Sequence, residues 1–171
     1  MTATRHDATD AARTISHDTI VIDRQFEATP ATVFAAFADP VAKARWFAGD
    51  PSFEDERFEL DFRIGGREVS SARLADGGST FVYDSRYEDI VPDVRIVAAY
   101  TMVMDGRRMS VSLQTVEFLP VGHRTRLILT EQIAIFDGLD TTAARQHGLD
   151  ELLDALADEL RRTGPGAVTA G

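Results

Sequence analysis

From Glu56 to Phe136 the chain alternates between apolar and polar positions in short runs, and each run ends at a turn or a break. Phe58-Glu59-Leu60-Asp61-Phe62 has period two, the pattern of a strand with one face buried. Gly65-Gly66 turns it into a strand from Arg67 to Leu74, and Asp76-Gly77-Gly78 turns that into Thr80 to Ile90. Val91-Pro92-Asp93 breaks the run before a strand from Arg95 to Met104. Asp105-Gly106 then opens Met109 to Leu119, and Pro120-Val121-Gly122-His123 opens Arg124 to Phe136. Asp-Gly and Gly-Gly between apolar runs are strong hairpin signals. Short connections throughout predict a meander, and therefore an antiparallel sheet.

Past Asp137-Gly138-Leu139-Asp140 the period lengthens. Leu149, Leu152, Leu153, Leu156 and Leu160 fall within a wedge of roughly 100° when each residue advances about 100°. They predict one long amphipathic helix, N-capped by Asp140 and ending near Arg162, ahead of Gly164-Pro165-Gly166. Upstream, Thr19 to Ala28 reads as a first strand. Thr29-Pro30 and Asp39-Pro40 each pair a good N-cap with a proline suited to the first helical turn. They predict two short helices, the second carrying Trp46 and Phe47, that plug one end of the sheet. The predicted fold is α+β: a curved antiparallel sheet of six or seven strands wrapped around a long C-terminal helix, with two short helices after strand 1. Residues 16–163 form a single domain, with flexible tails at 1–15 and 164–171. Between sheet and helix lies a concave space, and function is expected there.

Composition narrows the options. With 171 residues, 44% of them hydrophobic and ten phenylalanines, the chain is long enough to bury a core. A formal net charge of −10 disfavours nucleic acid and anionic lipid surfaces, both of which need clustered cations. The basic residues are almost all arginine, and Lys43 is the only lysine, which reads as composition bias without functional weight. The absence of cysteine excludes disulfides and thiolate chemistry. The first fourteen residues lack the apolar segment of a signal peptide, and no stretch approaches the roughly 18 apolar residues of a membrane span. A cytoplasmic protein is the default expectation.

The order of strand, two short helices, meander and terminal helix resembles the helix-grip fold. Phe26-Glu27-Ala28-Thr29-Pro30-Ala31-Thr32-Val33-Phe34, and Ala38-Asp39-Pro40 followed by Arg45-Trp46-Phe47, resemble the opening of START-like proteins. Thr130-Glu131-Gln132, Asp137-Gly138, Arg145-Gln146-His147-Gly148 and Leu152-Leu153-Asp154-Ala155-Leu156 are similar to one bacterial branch. That branch is the SRPBCC proteins related to the activator of the heat-shock-protein-ninety ATPase. The resemblance covers about Thr19 to Arg162. It implies a superfamily whose members bind hydrophobic ligands in the cavity or act as cyclases, hydratases and transport proteins. The eukaryotic co-chaperone carries a separate N-terminal domain that engages the chaperone. With about eighteen residues ahead of strand 1, that domain is expected to be absent here, so chaperone activation does not carry over.

Leu127, Leu129, Glu131, Ile133 and Ile135 share one face of the last strand. A carboxylate turned inward without a partner has a raised pKa, which is how a general acid or base is made. That makes Glu131 the one catalytic candidate; the other account is a paired, structural or solvent-facing glutamate. Arg145 lies about 40° from Leu149 around the helix, on the core-facing stripe, and needs an acceptor. An Arg145–Glu131 contact is therefore expected, as a clamp between helix and sheet that could also orient the polar end of a ligand. His147 lies about 160° from Leu149, on the side opposite the leucines. Neither it nor His6, His17 or His123 has metal-ligand spacing, so no metal is expected. Ser110 and Ser112 have no histidine near in sequence to make a triad, and the Gly-Gly turns lack the helix N-terminus of a phosphate loop.

Candidate ligand-binding residues are Trp46, Phe47, Phe62, Tyr83, Tyr100, Met102, Met104, Glu131, Arg145, Leu149 and Leu152. Aromatic and methionine side chains suit an adaptable apolar wall, although each is equally at home in an ordinary core. The leading expectation is a small, largely apolar ligand in a space of ~300–1,000 Å³, with its polar end at Glu131, Arg145 or Tyr83. The alternatives are an enzyme of cyclase, hydratase or hydrolase type using Glu131, and a co-chaperone-like interaction module. No cofactor, nucleic acid or membrane partner is expected, and a homodimer stays open.

Overall fold

A computed structural model describes residues 13–164. The two tails outside that range, His6, and the Pro165-Gly166 stop after the helix lie outside the described residues. The chain runs β1 (Ile15–Phe26), α1 (Pro30–Ala38), α2 (Pro40–Phe47), β2 (Phe53–Leu60), β3 (Arg67–Leu74), β4 (Thr80–Val91), β5 (Arg95–Met104), β6 (Arg107–Val121), β7 (Arg124–Phe136) and α3 (Thr142–Thr163). The strands form one antiparallel seven-stranded sheet in the order β1-β7-β6-β5-β4-β3-β2. β2 to β7 are the expected meander, and β1 joins its far edge by pairing with β7.

Local chemistry accounts for most boundaries. Asp105 and Gly106 both have positive φ, at 49° and 77°, the condition of a two-residue hairpin whose twist matches its strands. Thr29 caps α1 and Asp39 caps α2 through side-chain oxygens that accept backbone N–H groups, with proline next in each helix.

Four boundaries differ from expectation. β6 runs Arg107–Val121, because Pro120 and Val121 still pair with Thr125 and Arg124 and only Gly122-His123 turn the chain. β1 begins at Ile15, because Ile15 to Asp18 pair with Phe136 to Ile133 across the sheet although the segment itself is mostly polar. β2 covers Phe53–Leu60 and stops short of Phe62, because Asp61 to Gly66 form a turn in which Arg63 N–H donates to Asp61 O and Gly66 N–H to Arg63 O. That strand also carries a register break between Glu54 and Arg57, with Asp55 at φ 56°. Finally, α3 is capped by Thr141, whose hydroxyl accepts from Ala144 N–H at 3.1 Å. The Asp140 carboxylate accepts from Arg145 instead.

α3 lies across the concave face. Its buried side chains are Leu149, Leu153, Leu156, Glu159 and Leu160. Leu156 is fully buried within the same core as Phe34 and Phe37 of α1 and Phe118 of β6. Edge-to-face contacts of Phe118 with Phe34 and Phe37, at 5.5 and 5.4 Å between centroids, close this end of the molecule. The short helices thus fill the space under the C-terminal half of α3.

Candidate functional site

Under the N-terminal half of α3 the space is not filled. A cavity of about 650 Å³ lies between that half of the helix, α2 and strands β2 to β7. Alternation along each strand sets its wall. Ser70, Tyr83, Met102 and Ser110 are register partners in one row, and Glu68, Ser85, Tyr100 and Ser112 in the next. A polar band therefore crosses an otherwise apolar sheet.

Most of the ligand candidates named from sequence meet at this cavity. Trp46 and Phe47 reach it from α2, Tyr83, Tyr100 and Met102 from the sheet, and Arg145, Leu149 and Leu152 from α3. Phe47, Tyr83 and Tyr100 form a continuous aromatic surface, with centroid separations of 5.1 and 4.8 Å. Three candidates stand elsewhere. Phe62, released from β2, packs on Phe34 and Tyr87 in the core. Met104 pairs with Phe81 and Arg107 at the end of β5 and is not part of the wall. Glu131 is fully buried behind the wall. His147 is 76% exposed and faces Glu151 on the outer side of α3, and His17 and His123 are exposed as well. Among the described residues no cluster of His, Asp and Glu side chains has the makings of a metal site.

Of the three cations that line the cavity, Lys43, Arg45 and Arg145, two are largely buried, and their surroundings differ. Arg145, with a side chain 10% exposed, sits among oxygens. Nη1 donates to Glu131 Oε1 at 2.9 Å and to Tyr100 Oη at 3.0 Å. Nη2 donates to Ser110 Oγ at 2.8 Å and Asp140 Oδ2 at 2.6 Å. Burial alone would lower the pKa of this guanidinium; Tyr100, Glu131 and Asp140 outweigh that and raise it. Burial and the Glu131 charge likewise push the Tyr100 phenol up. Glu131 also accepts from Ser112 Oγ at 2.8 Å and from Gln114 Nε2 at 3.4 Å. The expected Arg145–Glu131 contact is thus present inside a network that spans β5, β6, β7 and α3.

Lys43 is the second cation, 5% exposed. Its Nζ stands 3.3 Å from Glu68 Oε1, an ionic contact in which that oxygen is left without an aligned hydrogen bond. The rings of Phe37, Trp46 and Phe47 surround the ammonium, with centroids 4.9, 4.6 and 4.6 Å away. Tyr87 donates its hydroxyl to the other Glu68 oxygen. Burial lowers the Lys43 pKa, and Glu68 opposes the shift. This group is absent from the sequence-based candidates. The signal that could have found it is spacing: Lys43 is three and four residues before Trp46 and Phe47, so all three share one helical face. Glu68 likewise alternates with Ser70 and Ala72, both of which line the cavity.

An open antiparallel sheet gripping one long C-terminal helix, with two short helices after its first strand, defines the START-like helix-grip class. Residues 27–161 match the family model of Activator of Hsp90 ATPase homolog 1-like proteins. The chain belongs to that family. Among solved structures it is similar to an uncharacterized protein of Rhizobium leguminosarum, at 39% identity and a TM-score of 0.84, over 88% of this chain and 99% of that one. It is also similar to the Mll3558 protein of Rhizobium loti, at 44% identity and a TM-score of 0.79, over 86% and 99% of the two chains. An AHSA1-like protein of Aeromonas hydrophila shares the fold, at 23% identity and a TM-score of 0.64, over 90% and 98%. No curated protein matches the chain. Among the described residues no helix is long and apolar enough to cross a membrane.

Proposed function

We propose that this protein binds a small, largely apolar molecule in the cavity between its sheet and α3. The carrying observation is the unfilled 650 Å³ under the N-terminal half of α3, while Leu156 and Leu160 toward its other end are buried in the core. Protein interiors close voids of this size, because each missing contact forfeits dispersion energy. The volume also lies within the ~300–1,000 Å³ common for ligand sites. Burial of the ligand against Phe47, Tyr83, Met102, Leu149 and Leu152 supplies affinity at about 25 cal/mol per Å² before ordering costs. The Arg145 network then orients its polar end.

Gly148 supports the same reading. It lies within α3 and lines the cavity, and a Cβ built there meets nothing within 4 Å. Glycine inside a helix costs roughly 1 kcal/mol relative to alanine, and its place over the cavity widens the space for a ligand. A catalytic Glu131 draws less support, since that carboxylate stands behind the wall with Arg145, Ser112 and Gln114 already donating to it.

The test is native mass spectrometry of protein purified from its own host, for the wild type and for Gly148→Phe. The expected result is a non-covalent small-molecule adduct on the wild type that is absent from a folded Gly148→Phe protein. A wild type that never carries an adduct and takes up no apolar probe dye overturns the proposal.

A further inference from the structure

We propose that Lys43 is a recognition group for an uncharged acceptor oxygen, so that the ligand class of this cavity is neutral carbonyl compounds rather than fatty-acid-like anions. This deepens the functional reading above and rests on it.

The donor inventory of Lys43 leads there. An ammonium has three N–H donors and no acceptor. Glu68 is the one ionic partner of Lys43 among the described residues, 3.3 Å away. The three aromatic faces offset part of the lost hydration but accept no conventional hydrogen bond. At least two donors of a nearly buried cation are thus left without an oxygen, a state that ordinarily carries a steep desolvation cost. Lys43 is part of the cavity wall, whereas Glu68 and Tyr87 are not. From inside the cavity this station therefore presents donors only. An oxygen with lone pairs and no hydrogen of its own complements it, and a ketone, ester or amide carbonyl has that character.

The charge balance selects against an anion. Every base on the wall already has an acidic partner: Lys43 has Glu68, Arg45 has Glu159, and Arg145 has Glu131 and Asp140. Asp50 and Glu56, which also line the cavity, add further negative charge. Partial burial, and after it the neighbouring Asp50, hold the Glu56 carboxyl above its ordinary value. A carboxylate ligand would enter this field with no uncompensated cation to receive it. A carbonyl brings lone pairs and leaves the balance unchanged.

Three dyes of similar size separate these cases in fluorescence titrations: 6-propionyl-2-dimethylaminonaphthalene, a neutral ketone; N-phenyl-1-naphthylamine, neutral without a carbonyl; and 8-anilinonaphthalene-1-sulfonate, an anion. Lys43→Met removes the donors. Lys43→Met/Glu68→Gln removes them without leaving a buried unpaired carboxylate, and serves if the single variant does not fold. The expected result is that both variants bind the ketone about tenfold or more weakly while phenylnaphthylamine binding changes by less than about twofold. In the wild type the sulfonate should bind about tenfold more weakly than phenylnaphthylamine. Unchanged ketone binding in the double variant, with phenylnaphthylamine still bound, overturns the role of Lys43 and leaves the cavity reading standing. A sulfonate that binds as well as the neutral dyes overturns the charge selection. Failure of all three dyes on the wild type removes the cavity reading, and this inference falls with it.

Discussion

The two halves of α3 cover the same sheet and do opposite things. Around Leu156 and Leu160 the helix is buried in one core with phenylalanines from α1 and β6. Around Arg145, Gly148 and Leu152 it roofs a cavity and brings a charge inward. Leucines punctuate both halves, so the hydrophobic stripe does not distinguish them. What differs is the opposing surface: α1 and α2 fill one end, while at the other a band of Ser, Tyr and Glu faces the helix across open space. One half carries the fold and the other carries the site, which is why substitutions in the two halves should have different signatures.

The largest effect should come from the solid half. Leu156→Asp places a carboxylate at a fully buried position of the apolar core and should abolish cooperative folding, seen as loss of a thermal transition by circular dichroism. Next is the ionic clamp of the hollow half. Arg145→Met strands Glu131 and should cost about 3–5 kcal/mol in urea unfolding, and adding Glu131→Gln should recover part of that loss. A double variant no more stable than the single one would show that the clamp contributes through packing alone.

A matched pair then sharpens the contrast. Leu156→Ala should cost about 2–5 kcal/mol, whereas Leu152→Ala, on a wall that already borders a void, should cost less than about 1.5 kcal/mol and weaken apolar dye binding. Equal losses at the two positions would mean that the hollow half is as tightly packed as the solid one.

The smallest effect is electrostatic. Hydrogen bonds from Arg45, together with Arg162, hold the Glu159 carboxyl below its ordinary value against the opposing effect of burial. A depressed carboxyl contributes stability that is fully present above its unfolded-state pKa and lost as the pH falls through the folded-state value. Melting temperatures from pH 7 to pH 3 should therefore fall on the acid side, and Glu159→Gln should flatten that fall.

Much of this architecture is legible in period and punctuation. The meander follows from runs broken by Asp-Gly and Gly-Gly pairs, and the α1 and α2 caps from Thr-Pro and Asp-Pro. The Arg145–Glu131 contact follows from two periods read together, since an inward strand position and an inward helical position fourteen residues apart have little choice but to meet. What escaped depends on long-range partners. The polar start of β1 forms a strand only because β7 offers it a ladder, and Asp140 leaves the cap to Thr141 while its own carboxylate accepts from Arg145 and from Thr141 N–H. Lys43 escaped for a different reason. A lone lysine on a short helix reads as surface until the three rings and Glu68 around it are seen.

The register break in β2 has a consequence for the life of the molecule in a crowded solution. An open sheet exposes two borders of unpaired amides and carbonyls, either of which is a template for self-association. On one border, Glu54, Asp55, Glu56, Arg57 and Glu59 fall within eight residues, and the left-handed Asp55 disturbs the ladder among them. A second molecule approaching that border meets like charge and a mismatched hydrogen-bond spacing. Straightening it, for instance by deleting Asp55, should raise self-association through that border, seen as growth in particle size by light scattering.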